Sequence, residues 1–532
     1  MKAKLLVHPS FEIGEISPRL YGTFLEPIGT MVNGSMYNPK HPTADKQGLR
    51  HDFIDALKAA RVPAVRLPGG NFVSGWDWKD SIGPREQRKT HLDLAWHQYI
   101  TNEIGHDEYL QWAHLAGMES LYTINLGTGD INDAQHIIEY TNHEGGTYWS
   151  DLRKRYGHEQ PYGVKTWYLG NEMDGVWQIA SWDKNPKGYG ILANEASKVM
   201  KWVDPSIETA VCASSSPFLA HYPQWEMDVL RECYDTVDYV SLHHYHSAPA
   251  GNYAALLGGS VYFEDYINTE IALCDFMQTA ARSPKKLMLS FDEYGSHFRP
   301  PPELHPGYGP YNLYRNYINF KPGTKFIRHD PSNMPERGPF KEYGDMVNAL
   351  SHASVALAFL RHADRVKIGC MTGGLHAFAA ASGQHVWKSA AHYPFTQLIR
   401  YGRGKSMRVK VECDTFDIPG YVVDDNSQYP AREGINFIDA ACAFDAASGE
   451  VNIFAINRSW DGGSDIELDV SAFPGCQFVE HIQLFSDDIN AVNTFENPEA
   501  VGPSVSTKAV FAGGKLTSEV KRLSWNLFRF KK

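Results

Sequence analysis

Two textures of apolar and polar positions divide this chain. Up to about residue 388, short runs of aliphatic, β-branched and aromatic residues recur with helix-period stretches between them. That is the pattern of a parallel sheet joined by crossover helices. Eight runs read as strands: Arg19 to Phe24, Ala64 to Leu67, Leu121 to Leu126, Lys165 to Leu169, Glu208 to Ala213, Tyr239 to His243, Lys286 to Phe291 and Val366 to Met371. Helical periodicity between them covers His51 to Ala60, Asp107 to Ala116, Asp133 to Tyr140, Tyr189 to Trp202 and Gly344 to Arg361. Eight such units predict an α/β fold, a closed (β/α)8 barrel in place of an open doubly wound sheet, and no GxGxxG or GxxxxGK[ST] marks a nucleotide site.

From about Ser389 the texture becomes alternating, as in Arg408 to Cys413, Gly449 to Asn457 and Ile466 to Val470, with turn signals between and no long helical pattern. This predicts a C-terminal β-sandwich. A short N-terminal strand, Ala3 to Val7, precedes the barrel by the turn-rich stretch from Pro9 to Pro18 and is assigned to the sandwich. The expected division is residues 1–15 with the C-terminal domain, 16–388 as the barrel and 389–532 as the sandwich.

In such a barrel the residues just past the strand ends line one mouth. The fourth run ends on Asn171-Glu172 and the seventh on Asp292-Glu293. Two carboxyl groups at strand tips suit a glycosidase, one acid to protonate a leaving oxygen and one carboxylate to attack. Around them fall Glu26, the Pro68-to-Phe72 stretch with Asn71, Asn125 to Thr128, Ser214 to Ser216, His243 to Tyr245, and Thr372 to Gly374. Singly, each has a plain structural explanation, as a solvated strand-end charge, a helix cap partner or a hydrogen-bonded histidine. Their convergence is what points to binding of sugar hydroxyls and proton transfer. A divalent-metal hydrolase ranks below this, because no close His-x-His pair stands at the first strand tip. Neither metal nor cofactor is predicted.

The segment from Arg299 to Lys341, rich in Pro and Tyr, follows the seventh run and reads equally as a subsite wall or as a loop packed on its own tyrosines. The formal net charge of -12 and the pI near 6.0 argue against nucleic acid or an anionic membrane as partner. Seven scattered cysteines without a CxxC spacing read as reduced thiols. Neither an apolar leader at Met1 to His8 nor an apolar run of spanning length occurs, so the expected location is the cytoplasm.

The stretches Val65-Arg66-Leu67-Pro68-Gly69-Gly70-Asn71-Phe72-Val73-Ser74-Gly75, Asp77 to Pro84, Trp167-Tyr168-Leu169-Gly170-Asn171-Glu172-Met173-Asp174-Gly175, Ser241-Leu242-His243-His244-Tyr245 and Leu289-Ser290-Phe291-Asp292-Glu293 resemble glycoside hydrolase family 51, the α-L-arabinofuranosidases of clan A. The resemblance implies a retaining mechanism with Glu172 as acid/base and Glu293 as nucleophile. It also implies that Asn171 holds the sugar 2-hydroxyl, that Glu26 and Asn71 contact hydroxyls, that Trp96 walls the pocket, and that His243 and Tyr245 orient the carboxylates. An arabinose-containing oligo- or polysaccharide is the implied partner, and a homo-oligomer, trimer or hexamer, the implied assembly. The match breaks at Tyr294 to Phe298, where the family has a Trp-Asn-x-Trp-Tyr type sequence, at Gly129, where an Arg is expected nearby, and at Gly373, where a Gln is expected. These breaks predict a reshaped pocket wall. They also keep another furanoside (D-arabinofuranoside or galactofuranoside) or an endo-β-1,4-glucan as alternative substrates, with a non-catalytic carbohydrate-binding protein as the alternative of another class.

Overall fold

The computed structural model describes residues 2–298, 325–333, 344–423 and 427–532. Most of the Pro/Tyr-rich stretch therefore lies outside the described residues.

Eight parallel strands close into a barrel in chain order: Gly22–Phe24, Ala64–Leu67, Glu119–Ile124, Thr166–Leu169, Glu208–Cys212, Tyr239–Ala248, Met288–Phe298 and Val366–Met371. All eight predicted runs are barrel strands. The second and fourth strands are buried at all four of their positions, because helices cover the outer face while side chains fill the inner one. Phe24, Ala64, Leu121, Tyr168, Ala210, Tyr239, Ile368 and Cys370 form the lumen core. Alternate positions such as Val65, Leu67, Val211, Val240 and Leu289 pack outward against the helices. Two of those helices start where side chains take up free backbone N–H groups. Asp130 and Asp133 form a capping box on Ile131–Asn142, and Asn185 caps Pro186–Val203, which has Pro at its first turn.

The sixth and seventh strands run further than the sequence predicts, to Ala248 and Phe298. They stay paired as His246 with Ser296, Ser247 with His297 and Ala248 with Phe298. The seventh strand also carries an extra residue. Ser290 pairs with Ser241, but Glu293 pairs with His243, so three steps on one strand face two on the other. Such a bulge breaks the two-residue alternation and re-aims the side chains beyond it.

The C-terminal region forms a ten-stranded sheet. Its N-terminal member, Lys2–Glu15, lies antiparallel to Lys405–Glu412 and parallel to Ser464–Asp469. One face buries Leu5, Val7, Ile453, Leu468, Phe528 and Phe530 in a core of its own, while Phe454, Ile456, Trp525 and Leu527 join the core shared with the barrel. The sheet rolls so that its ends meet, with Phe511 ring contacts to Phe478 and Phe530 at 6.4 and 5.5 Å. One short helix goes unmarked in the sequence reading. His392–Tyr401 opens the C-terminal region, and its apolar face, Phe395, Leu398 and Ile399, packs with the barrel core. A single ten-residue helix beside long alternating runs was too short a signal to separate from them.

Candidate active site

The second strand supplies the cation on which the site is built. Arg66 is fully buried inside the lumen, where Phe24 and Tyr168 rings flank its guanidinium at 5.2 Å each. Its Nη1 donates to Oε1 of Glu293 at 2.6 Å and its Nη2 to Oδ1 of Asn171 at 2.7 Å. Its Nε lies 2.9 Å from Oδ2 of Asp292 as an ion pair, without hydrogen-bond alignment. Both Asp292 and Glu293 reach this one cation because the bulge in the seventh strand turns two successive residues inward. Asp292 is held further by Ser241 at 2.9 Å and Ser290 at 3.1 Å.

Glu172 sits past the fourth strand in a tight turn, with Gly170 at φ 100° and Glu172 itself at φ 45°. A left-handed conformation is unusual for a glutamate and is a mark of functional sites. Its Oε1 meets Nδ1 of His243 at 2.9 Å, and its Oε2 accepts from Nε1 of Trp177 at 2.6 Å. His243 also faces Asp292 through Nε2 at 3.2 Å and Glu293 through Nδ1 at 3.7 Å. Tyr245 donates to Oε2 of Glu293 at 2.5 Å and meets Oγ1 of Thr372 at 2.8 Å. Asn171 donates to Oδ1 of Asn71 at 3.1 Å. On the far wall Glu26 accepts from the Phe72 amide at 2.8 Å and from the Trp96 indole at 2.7 Å. The eight residues singled out from the sequence thus stand in one connected cluster.

Its electrostatics follow from burial and neighbours. Burial, aided by the Glu293 charge and opposed by His243, raises the Glu172 carboxyl above the ordinary range. Burial and then Glu293 push Glu26 up to about 8. Burial disfavours the charged imidazole of His243, but the Glu293 and Asp292 carboxylates outweigh it and raise the group to about 10. Burial likewise opposes ionisation of Asp292, and Arg66 and His243 overcome it and hold that carboxyl low. One ligand atom each from Glu172, His243 and Glu293 lie within 4.8 Å of one another, a spacing that would admit a metal ion. A metal ion there would have to displace the proton that the Glu293 and Asp292 carboxylates favour on His243, which opposes its binding.

Other sequence expectations need correction. His244 does not line the mouth. It points outward between Phe263 and Tyr266, and burial lowers it to about 3. Ser214 and Ser215 are engaged behind the rim, through their amides, by Glu226 at 2.8 Å and Asp174 at 2.9 Å. Tyr294, read as part of the changed wall, packs against Phe359 and Phe263 in the helical layer, again because of the bulge. Gly129 has no room for a side chain, since a Cβ would fall 2.4 Å from the Asn125 carbonyl oxygen. Asp292 was named only as a strand-end neighbour of Glu293, and Arg66, Trp177 and Gln178 were not singled out. For Arg66 the signal was present, a lone cation in the four-residue strand Ala64–Leu67; for Trp177 and Gln178, beyond the turn, no pattern marks them.

Gly70 shows how closely the pocket is built. A Cβ there would fall 2.4 Å from Oε2 of Glu26. Gly70→Ala is therefore expected to displace Glu26 and raise KM by roughly tenfold or more, as the loss of a buried polar partner does. Michaelis kinetics of the purified variant check this.

Comparison with known proteins gives the family of the chain. The profile of the alpha-L-arabinofuranosidase 1 domain matches residues 56–260, and that of the alpha-L-arabinofuranosidase C-terminal domain matches residues 292–524. The intracellular exo-α-(1→5)-L-arabinofuranosidase 1 of Bacillus subtilis is 36% identical over 534 residues, covering 100% of this chain and 99% of its own. An exo-α-(1→6)-L-arabinofuranosidase of Bifidobacterium longum is 30% identical over 100% of this chain and 97% of its own. The solved structure of a family 51 α-L-arabinofuranosidase from Bifidobacterium longum superposes with a TM-score of 0.83 at 28% identity, covering 100% of this chain and 99% of that one. The chain belongs to glycoside hydrolase family 51, the α-L-arabinofuranosidases.

Proposed function

We propose that this protein is a retaining, exo-acting α-L-arabinofuranosidase, with Glu293 as nucleophile and Glu172 as acid/base. The observation that carries the reading is the approach of the two carboxyl groups, whose oxygens come within 4.8 Å. A retaining pair stands about 5 to 5.5 Å apart, whereas an inverting pair needs about 6.5 to 9.5 Å to admit a water. In the first step the glycosidic bond breaks as Glu293 forms an ester with the anomeric carbon, and the Glu172 proton goes to the leaving oxygen. In the second, water attacks that carbon, its proton goes to Glu172, and the ester bond breaks. Burial and the Glu293 charge raise the Glu172 carboxyl, which favours the protonated form that the first step needs. The ester removes that charge, so Glu172 becomes a base for the second. Glu26, Asn71, Asn171 and Trp96 serve as contacts to the furanose, and His243 and Tyr245 orient the carboxyls.

Relatives named for (1→5) and for (1→6) linkages both align along the whole chain, so terminal arabinofuranose is proposed as the common element of the substrate. The barrel of residues 16–388 is proposed as the catalytic unit and residues 389–532, with 1–15, as the accompanying domain. A cytoplasmic location rests on the intracellular relative. Assembly into a trimer or hexamer rests on family membership, and sedimentation checks it. Among the described residues no helix is long and apolar enough to cross a membrane.

The test combines substrates with a variant. The parent is expected to turn over an aryl α-L-arabinofuranoside in preference to D-arabinofuranosides, galactofuranosides and β-1,4-glucans. In kcat/KM, which reports the first step, Glu172→Ala should lose roughly a hundredfold to ten-thousandfold on substrates with poor leaving groups and far less on activated aryl glycosides, because only the former need a proton to depart. An equal loss on both classes would remove Glu172 from the acid role.

A further inference from the structure

Both oxygens of Glu172 are occupied. Oε1 faces His243, and Oε2 accepts from Nε1 of Trp177 at 2.6 Å, with Nε2 of Gln178 at 3.4 Å. A leaving oxygen that takes a proton from Glu172 must therefore share or displace one of these donors. His243 cannot yield easily, being 2% exposed and tied by its other nitrogen to Asp292 at 3.2 Å. Trp177 is partly exposed and follows in the same turn. That turn is closed by the Gly175 amide on the Glu172 carbonyl at 2.8 Å and the Gln178 amide on the Gly175 carbonyl at 3.0 Å. The indole lies so close over Gly175 that a Cβ there would fall 2.5 Å from it. Its position is thus set by the turn that sets Glu172.

An indole N–H is a donor only. It pairs well with a carboxylate oxygen and poorly with an oxygen that carries a proton, so the contact favours the charged form of Glu172. We propose that Trp177 is a positioning residue for the proton-transfer steps: its indole fixes Oε2 on the solvent side of the carboxyl and favours the carboxylate that must take a proton from water in the second step. This rests on the acid/base reading of Glu172 given above. The charged and titratable groups facing Glu172 are His243 and Tyr245 from the sixth strand and Glu293 from the seventh, with Arg66 and Asp292 one contact beyond. Among the described residues the hydrogen bonds to Oε2 come from Trp177 and Gln178.

The sign follows directly. Removing a donor from the charged form raises the pKa of Glu172. The first step needs Glu172 protonated, so kcat/KM falls as pH rises through that pKa. In Trp177→Phe, which keeps a ring but not the N–H, this alkaline limb should move up by about one pH unit, the equivalent of one hydrogen bond to a charged group. On an activated aryl arabinofuranoside, whose turnover is limited by the second step, kcat should fall by roughly threefold to tenfold. Trp177→His retains a ring N–H and should bring the limb back toward that of the parent. A limb that stays put in Trp177→Phe overturns the proposal, and so does an equal shift in the Phe and His variants, which would mark the effect as packing. Glu172→Gln separates this from the underlying assignment. If the limb persists in Glu172→Gln, the acid/base reading itself fails; if it vanishes there yet stands still in Trp177→Phe, the inference about Trp177 fails alone.

Discussion

Glu293→Ala is expected to lower kcat by roughly four orders of magnitude or more on every substrate, with a much smaller change in KM. The carboxylate is held from two sides, Oε1 by Arg66 at 2.6 Å and Oε2 by Tyr245 at 2.5 Å. It is therefore fixed in place before substrate arrives, and the rate depends on that fixed geometry. Truncation leaves Glu26, Asn71, Asn171 and Trp96 in position to grip the sugar, so binding persists while the ester cannot form. Two measurements check this. Steady-state kinetics give the loss, and added azide, small enough to enter the vacated space, should restore turnover of an activated glycoside with inverted configuration in the product. Residual activity within about tenfold of the parent, or a rescued product of retained configuration, would rule out Glu293 as the nucleophile.

The barrel was legible because its strands are buried on both faces and its helices are amphipathic, so apolar runs and helix-period stretches alternate in the sequence itself. Glu172 and Glu293 were legible because strand tips in a barrel converge. What stayed hidden depends on backbone events without a composition signal. The bulge between Ser290 and Glu293 is one. Strict alternation allows only one of Asp292 and Glu293 to face the lumen, yet both do, and Tyr294 turns outward as a result. The turn after Leu169 is another. Its left-handed Glu172 brings Trp177 and Gln178 back onto the carboxyl, a contact five or six residues along that no periodicity predicts. Local contacts made by irregular backbone escape pattern reading, whereas contacts made by repeating units do not.

Arg66 ties these irregular pieces together, and its replacement should have the second large effect. It donates to Glu293 and Asn171 and neutralises Asp292 from inside the lumen, where it is 0% exposed. With His243 protonated, the two cations balance Asp292 and Glu293 when Glu172 and Glu26 carry protons. Arg66→Met removes one cation and leaves two buried acids short of a partner, a loss of about 3 to 5 kcal/mol for a broken buried pair. Arg66→Lys should recover only part of this, since a point-charge ammonium cannot serve three acceptors spread around a planar fork. The pH dependence distinguishes the electrostatic effect from a packing defect. Asp292 is held below its ordinary value by Arg66 and His243, so its contribution to stability is full above the unfolded carboxylate pKa of about 3.9 and is lost as pH falls through the lower folded value. Without Arg66 that reserve shrinks, and acid unfolding should begin at higher pH in Arg66→Met than in the parent, with Arg66→Lys between them. Parallel acid-unfolding curves for the three proteins, displaced only in overall stability, would show that Arg66 acts through packing against Phe24 and Tyr168 and not through its charge.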